Sequence, residues 1–176
     1  MSRPKINKKQ NKKVLFFVVH AKIDLSPDIQ SSMDCIEFNS KTPTHQELSN
    51  FWDNPFDLDG TTWPTVEHYF QAQKFPGDPA LQEKIRNAKT PLSAKRLGKT
   101  KSDHFLTNWN DIRDEVMLKG LKAKFAQNPS LATILKSTGT AQLREKSLSD
   151  SYWGTGRNGC GRNRMGTLLH QVRKEL

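Results

Sequence analysis

Residues 63–75 read Trp-Pro-Thr-Val-Glu-His-Tyr-Phe-Gln-Ala-Gln-Lys-Phe, and they predict a helix that carries both a carboxylate and an amine. Pro64 fits a first helical turn, where no N–H is needed, and Thr65 can cap the helix with its hydroxyl. At 3.6 residues per turn, four side chains then project from one side of the helix: Glu67, Phe70, Gln71 and Lys74. Two interpretations are open, a pocket wall with an acid and an amine over aromatic surface, or an amphipathic helix with a solvated charged face.

Helical patterns dominate the chain after this segment. We predict six helices, over residues 65–75, 79–87, 91–97, about 110–127, 131–137 and about 165–175. Gly98 can end the third of them in the left-handed conformation. Strands are predicted at Val14–Val19, at Cys35–Phe38, on either side of an Asp59-Gly60 turn, and at 141–143. Few strands beside many helices, without regular alternation, predict an α+β fold: a mostly helical single domain with a small β-sheet.

The positive charge is unevenly distributed. The net charge is +10, but residues 1–13 hold six Lys or Arg and no acid, which leaves +4 for the remainder. Such a block is typical of a solvated, disordered arm, or of an arm that contacts nucleic acid without reading its sequence. We therefore predict a basic, partly disordered extension over residues 1–32 and a folded domain over residues 33–176.

Cysteine usage and hydropathy limit the class of protein. Cys35 and Cys160 are the only cysteines, and no Cys/His pair has zinc-binding spacing, so we expect no disulfide framework, no metal and no cofactor. The apolar run over residues 14–19 is far too short to span a bilayer and lacks a convincing signal cleavage site. We expect a soluble, cytoplasmic protein that does not contact membranes; nothing in the chain predicts its oligomeric state.

A glycine-rich loop precedes the last predicted helix. Residues 150–166 read Asp-Ser-Tyr-Trp-Gly-Thr-Gly-Arg-Asn-Gly-Cys-Gly-Arg-Asn-Arg-Met-Gly. Glycines let backbone amides approach an anion, arginines offer planar donors to phosphate, and a helix N-terminus adds partial positive charge. A Rossmann site is excluded, because no strand follows the final helix. The loop is either a phosphate-binding segment or an ordinary surface turn.

Six segments stand in a specific order along the chain: Leu48-Ser49-Asn50-Phe51, residues 63–75, Asn108-Trp109, Val116-Met117, Ala123-Lys124-Phe125 and residues 150–166. Together, from about Met33 to Leu176, they resemble the YbiA-like N-glycosidases of the NADAR superfamily. The resemblance implies a hydrolase that cleaves the bond between ribose and an amine nitrogen and needs no cofactor but water. In the YbiA-like branch the substrates are the first two intermediates of riboflavin synthesis, reactive ribosylamino-pyrimidine phosphates that the enzyme removes. Related branches release ADP-ribose from the guanine amino group.

A mechanistic hypothesis for hydrolysis of this linkage assigns roles to individual residues. Glu67 is the expected acid/base, Asp150 the residue that orients ribose hydroxyls or stabilises a developing cation, and Lys74 either a Schiff-base nucleophile or a phosphate-binding cation. Because Glu67 lies near a helix N-terminus, which favours the ionised form, its action as an acid requires burial. Substrate contacts are expected from Asn50, Phe51, Trp63, Phe70, Trp109, Trp153, Gly154, Gly156, Arg157, Arg162, Asn163 and Arg164.

Two alternative functions stay open from the sequence. One is a non-catalytic module that binds ADP-ribose or a nucleotide through Trp153 and the arginines of the loop, with Glu67 only shaping the pocket. The other is removal of ADP-ribose from guanine in nucleic acid, which the basic arm over residues 1–13 would assist. The expected partner is otherwise a phosphorylated ribosylamino-pyrimidine.

Overall fold

The computed structural model describes residues 35–176, which contain six α-helices and two small β-sheets. The predicted strand over residues 14–19 and the basic extension over residues 1–32 lie outside the described residues. The strands are β1 (Cys35–Phe38), β2 (Phe56–Leu58), β3 (Thr61–Trp63) and β4 (Gln142–Glu145). The helices are α1 (Val66–Ala72), α2 (Pro79–Arg86), α3 (Pro91–Leu97), α4 (Trp109–Gln127), α5 (Pro129–Ser137) and α6 (Arg164–Glu175). The α+β prediction is confirmed, although the strands form two separate pairs instead of one sheet.

Strands β1 and β4 pair in parallel, with Cys35 opposite Gln142 and Phe38 opposite Glu145. Parallel strands end at the same edge, so the residues that follow Phe38 and those that follow Glu145 emerge side by side. The second pair is the antiparallel hairpin of β2 and β3. Both residues of its turn have positive φ, 55° at Asp59 and 73° at Gly60, as a type I′ turn requires. The hairpin delivers the chain directly to α1.

Helix α1 is buried along its whole length, polar residues included. It begins at Val66, and the hydroxyl of Thr65 accepts the N–H of His68 at 3.3 Å as the predicted N-cap. Pro64 therefore precedes the cap instead of occupying the first helical turn. Helices α2, α3 and α4 all pack against α1. Because a buried polar group needs a partner, Glu67, His68 and Gln71 of α1 form side-chain hydrogen bonds inside the protein. Gln71 Oε1, however, has no hydrogen-bond partner within residues 35–176.

Gly98 has a different role from the one predicted. It follows α3 with φ −64° and ψ −1°, a right-handed helical conformation, so it does not provide a left-handed cap. A Cβ at this position would collide with the side-chain amide of Gln71 on α1. The glycine therefore permits a close approach between the end of α3 and α1. Within residues 35–176, no helix combines the length and the apolar character that a membrane span requires.

Candidate active site

A cleft of about 330 Å³ opens over α1, the start of α4 and the edge where β1 and β4 end. Eight of the residues predicted from sequence line this cleft: Asn50, Phe51, Glu67, Phe70, Lys74, Trp109, Asp150 and Trp153. Gln71 joins them, so the four side chains that helical spacing placed on one side of α1 do face one cavity. The pocket-wall interpretation of residues 63–75 therefore agrees with the geometry.

Glu67 lies at the base of the cleft with only 2% of its surface exposed. Asn50 donates its side-chain amide to Oε2 at 2.5 Å, and Gln71 donates to Oε1 at 2.8 Å. The backbone N–H of Glu67 donates to the Asn50 carbonyl at 3.0 Å. Each oxygen of the carboxyl thus has a fixed donor, and the group is held in one orientation toward the cleft.

Burial raises the pKa of Glu67 above the ordinary value of 4.5, because removal from water disfavours the charged form. The Gln71 hydrogen bond and the positive charges of Lys95 and Lys74 lower it, and the charge of Asp150 raises it. Burial is the largest of these effects. The burial that action as an acid requires is therefore present, and the carboxyl retains its proton to higher pH than a free glutamate.

Aromatic rings form one wall of the cleft. Phe70 packs against Trp109 with ring centroids 4.9 Å apart and meets Trp153 edge-on at 5.4 Å. Lys74 Nζ lies 5.6 Å from the Trp109 ring centroid and donates to the carbonyl of Gly98 at 3.2 Å. Burial lowers the pKa of Lys74, whereas the nearby charge of Glu67 raises it. The wall combines flat apolar surface with a partly desolvated amine.

Besides Asp150 and Glu67, the cleft contains a carboxyl group that the sequence analysis did not predict. Glu145, the last residue of β4, lines the cleft, and desolvation together with the charges of Asp150 and Glu67 raises its pKa to about 7. Asp150 is held differently, since its Oδ1 accepts the backbone N–H groups of Tyr152 at 3.0 Å and Trp153 at 2.9 Å. Three carboxyl groups therefore share one cavity, and mutual repulsion favours a proton on one of them.

Cations that were not predicted also line the cleft: Lys95, Arg113 and Lys146. In the sequence, each sits on a segment that reads as a solvated helix face or a strand end, so no local pattern marked it. Lys95 Nζ lies 5.6 Å from the Phe51 ring centroid. The site thus places acids at its base and positive charge around them.

The comparisons with known proteins identify the family. A family model described as the NADAR domain matches residues 37–176. The chain belongs to the NADAR family. N-glycosidase YbiA of Shigella flexneri is 44% identical over 141 residues, which cover 80% of this chain and 88% of that protein. Riboflavin biosynthesis protein VVA0006 of Vibrio vulnificus is 43% identical over 80% of this chain, although the match spans only 38% of that longer protein.

A solved structure supports the same relationship. The NMR structure of the Escherichia coli protein YbiA is 43% identical, with a TM-score of 0.73, over 81% of this chain and 84% of that one. With relatives of this kind along four-fifths of its length, this NADAR protein is an enzyme of the N-glycosidase class, which hydrolyses N-glycosyl compounds.

Seven of the residues predicted to contact substrate lie outside the lining of the cleft in this NADAR protein: Trp63, Gly154, Gly156, Arg157, Arg162, Asn163 and Arg164. Trp63 is 6% exposed and belongs to the core, where its ring packs edge-on against Tyr69 with centroids 5.5 Å apart. Its indole N–H donates to the Leu58 carbonyl across the hairpin. A tryptophan at the end of a strand can serve either purpose, and here it holds the hairpin against α1.

The glycine-rich loop packs against Asp150 and Ser147, which line the cleft. A Cβ at Gly154 would meet Ser147 Cβ at 2.7 Å, and Gly156 adopts φ 66° while its N–H donates to the Asp150 carbonyl at 3.2 Å. These glycines let the loop fold back on Asp150. Arg157 and Arg162 are exposed and do not line the cleft. The loop therefore does not present its arginines to the cavity as expected.

Asn163 and Arg164 brace the site. Asn163 Oδ1 accepts the N–H of Glu145 at 2.9 Å, and its amide donates to the Leu143 carbonyl at 2.8 Å, so it pins the end of β4. Arg164 forms an ion pair with Asp114 on α4 at 2.7 Å. Both residues hold elements that carry cleft side chains, which is a structural reason for their position in a distinctive motif.

Lys124 supports the site from the core. Its side chain is fully buried, and Nζ donates to the carbonyls of Glu47 at 2.7 Å and Ser49 at 2.8 Å. Burial lowers the pKa of Lys124 to about 7. The two hydrogen bonds fix the segment that ends in Asn50, the donor to Glu67. Among residues 35–176, no group of three His, Cys, Asp or Glu side chains is arranged to hold a metal ion.

Proposed function

We propose that this N-glycosidase hydrolyses the bond between C1 of ribose 5-phosphate and the amine nitrogen of the early riboflavin intermediates. These are 5-amino-6-ribosylaminouracil phosphate and its diaminopyrimidinone precursor. The observation that carries the proposal is the buried Glu67 carboxyl, held by Asn50 and Gln71 at the base of a cleft of substrate size. The names of the relatives, an N-glycosidase and a riboflavin biosynthesis protein, support the substrate class.

The first step of the proposed reaction requires a proton donor. A ribosylamine opens to an imine when its ring oxygen is protonated, or loses its amine when the nitrogen is protonated. Glu67 supplies this proton, because its raised pKa keeps the carboxyl protonated closer to neutral pH. When the nitrogen is protonated, the electron pair of the C1–N bond leaves with the amine, and C1 gains cationic character. When the ring oxygen is protonated, the bond between C1 and that oxygen breaks, its electron pair stays on the oxygen, and the nitrogen lone pair forms the C=N bond of an iminium ion.

The second step requires water and negative charge near C1. Water adds to C1, and its proton returns to a carboxylate of the cleft. On the direct route this gives ribose 5-phosphate beside the amine already released. On the imine route the carbinolamine takes that proton on its nitrogen, the C1–N bond breaks with its electron pair on the amine, and the C1 hydroxyl releases its proton to the carboxylate, so the products are the same. Asp150, oriented by the N–H groups of Tyr152 and Trp153, stabilises the cation or holds the ribose hydroxyls. Glu145, with its pKa near 7, exchanges protons close to neutral pH and can accept the proton from water.

The aromatic wall provides the place for the pyrimidine. A flat heteroaromatic ring packs favourably against aromatic surface such as that of Phe70, Trp109 and Trp153. With the base on this wall, the glycosidic bond lies near the first turn of α1, where Glu67 is fixed. In this one orientation, the substrate contacts the Glu67 carboxyl through its glycosidic bond and the aromatic wall through its pyrimidine.

A side-by-side turnover assay tests the proposal. Purified protein is incubated with each riboflavin intermediate and with guanine-linked ADP-ribose, and the released sugar phosphate is quantified. We expect ribose 5-phosphate from both riboflavin intermediates. Turnover of the guanine-linked ADP-ribose alone would overturn the substrate proposal and favour the nucleic-acid branch of the family.

A further inference from the structure

Arg113 is a cleft residue that the proposed reaction does not yet use. It lies on α4, four residues after Trp109, so the two side chains share a face of that helix. Both line the cleft. The cations whose charge reaches the Glu67 carboxyl are Lys95 and Lys74 instead. Arg113 shares the lining of the cleft with Trp109.

The guanidinium of Arg113 is oriented before any ligand arrives. Its Cζ lies 3.5 Å from the centroid of the Tyr152 ring, a stacking distance. The Tyr152 hydroxyl donates to Asp114 Oδ1 at 2.7 Å, and Arg164 Nε donates to Asp114 Oδ2 at 2.8 Å. The ring is thus anchored through Asp114 and Arg164, and it supports Arg113 from one side.

Among residues 35–176, no hydrogen-bond acceptor contacts the same guanidinium. Arg113 Nε is buried and has no hydrogen-bond partner, and within residues 35–176 no carboxylate forms an ion pair with this arginine. The adjacent Asp114 is taken by Arg164 and Tyr152. A desolvated donor without an acceptor is costly, so a native protein retains one mainly where a ligand or water completes it.

The other cations of the site are less suited to this purpose. Lys74 is bound to the Gly98 carbonyl, and Lys95 lies close enough to Glu67 to lower its pKa. Arg157 and Arg162 are exposed outside the lining of the cleft. Lys146, the remaining cation of the cleft, forms an ion pair with Glu37 at 3.0 Å. Arg113 alone among these six residues combines a cleft position, a planar fork held by stacking and an unmatched donor. A fork of this kind matches two phosphate oxygens at once.

We propose that Arg113 binds the phosphate group on the ribose of the substrate, while C1 of the same ribose lies at Glu67. This assignment rests on the proposed function, and it places the phosphate at Arg113 instead of at the glycine-rich loop. Arg113 and Glu67 both line the same cleft. The sugar is then fixed at its phosphate and at its anomeric carbon, which leaves the base against the aromatic wall.

The test compares substrates with and without the phosphate. In Arg113→Met, kcat/KM for the phosphorylated ribosylamino-pyrimidine should fall about 10- to 100-fold, as expected for lost hydrogen bonds to a charged group. The value for the dephosphorylated nucleoside should not change. Arg113→Lys, which keeps the charge in the same space, should lose less on the phosphorylated substrate. Arg96→Met, an exposed arginine on α3 outside the cleft, is the matched control.

Two outcomes would overturn the proposal: an equal fall on both substrates, or no fall on either. Direct binding separates it from the proposed function. Ribose 5-phosphate should bind wild-type protein more tightly than ribose, and Arg113→Met should remove that difference. If the protein binds ribose 5-phosphate through Arg113 yet does not hydrolyse riboflavin intermediates, the function fails and the phosphate site stands. If hydrolysis occurs but the binding difference survives in Arg113→Met, the phosphate site fails and the function stands.

Discussion

Asn50 and Glu67 are hydrogen-bonded to each other twice. The side-chain amide of Asn50 donates to Glu67 Oε2 at 2.5 Å, and the backbone carbonyl of Asn50 accepts the Glu67 N–H at 3.0 Å. The segment before the hairpin is thereby joined to the first turn of α1. Asn50, 17 positions earlier in the sequence, thus both positions the Glu67 carboxyl and donates one of its hydrogen bonds.

Asn50→Ala should change both the rate and its pH dependence. A donor to a carboxylate favours the charged form, so its loss should raise the pKa of Glu67 further. If the protonated carboxyl is the active form, the alkaline limb of the kcat profile should move to higher pH. Loss of one oriented hydrogen bond should also lower kcat about tenfold. A pH-rate profile measures both effects; Asn110→Ala, at an exposed position of α4, should match wild type. An unshifted alkaline limb in Asn50→Ala would contradict the assignment.

The free energy of unfolding of Glu145→Gln, relative to that of wild type, should increase as pH rises. In the folded protein the pKa of Glu145 is about 7, against an ordinary 4.5, so the fold binds a proton that the unfolded chain has released. The contribution of this group to stability is therefore greatest below about pH 4.5 and is lost as pH rises toward 7. Glutamine does not titrate.

Denaturant unfolding at two pH values measures this effect. Relative to wild type, Glu145→Gln should gain about 1–2 kcal/mol of unfolding free energy between pH 4.5 and pH 8, a figure reduced because the cleft admits solvent. Glu115→Gln, exposed on α4, should show no such trend. A difference between Glu145→Gln and wild type that does not vary with pH would show that Glu145 titrates normally.

Lys124→Met should destabilise the protein and impair catalysis together. Methionine fills similar space but leaves the buried carbonyls of Glu47 and Ser49 without their donor, at a cost of about 2–3 kcal/mol. The segment carrying Asn50 should loosen, so kcat should fall as well. Lys122→Met, on the same helix, removes only an exposed ion pair with Glu175 and should cost less than about 1 kcal/mol. Equal stability of the two variants would refute the supporting role of Lys124.

Lys74 should act as a cation and not as a covalent nucleophile. Its Nζ donates to the Gly98 carbonyl and lies near the faces of Phe70 and Trp109, contacts that suit an ammonium. Borohydride added during turnover, followed by mass spectrometry, should therefore leave no ribose 5-phosphate adduct on Lys74. Burial does lower the pKa of this amine, so a reduced adduct at Lys74 would establish the Schiff-base route instead.

Local signals in the sequence predicted the fold well. The Thr65 cap and the Asp59-Gly60 turn each depend on neighbouring residues, and both lie where expected. Helix α5 begins at Pro129, two residues before the predicted start at residue 131. The α1 side chains that face the cleft also follow from helical periodicity alone. The failure at Gly98 has a different origin, because its reason is a contact with Gln71 on another helix.

The remainder of the site depends on contacts that are distant in sequence. Glu145 lines the cleft because β4 pairs with a strand about 100 residues earlier, and Arg113 gains its orientation from a ring on the glycine-rich loop. Neither position has a local pattern that differs from a solvated charge. The glycine-rich loop differs in the opposite way, because its local pattern predicted a role that its position in the fold does not support. Its glycines and arginines suggested phosphate binding, but the glycines pack toward Asp150, and Arg157 and Arg162 are exposed.

Release of ribose 5-phosphate by Glu67→Gln, measured beside binding of the same riboflavin intermediate, tests the central claim most directly. Glutamine keeps the shape of the side chain but has no proton to transfer, so turnover should fall by about 10²- to 10⁴-fold while the intermediate still binds. Glu115→Gln should retain full activity. If Glu67→Gln releases ribose 5-phosphate at the wild-type rate, the carboxyl at the base of the cleft is not the acid of this enzyme.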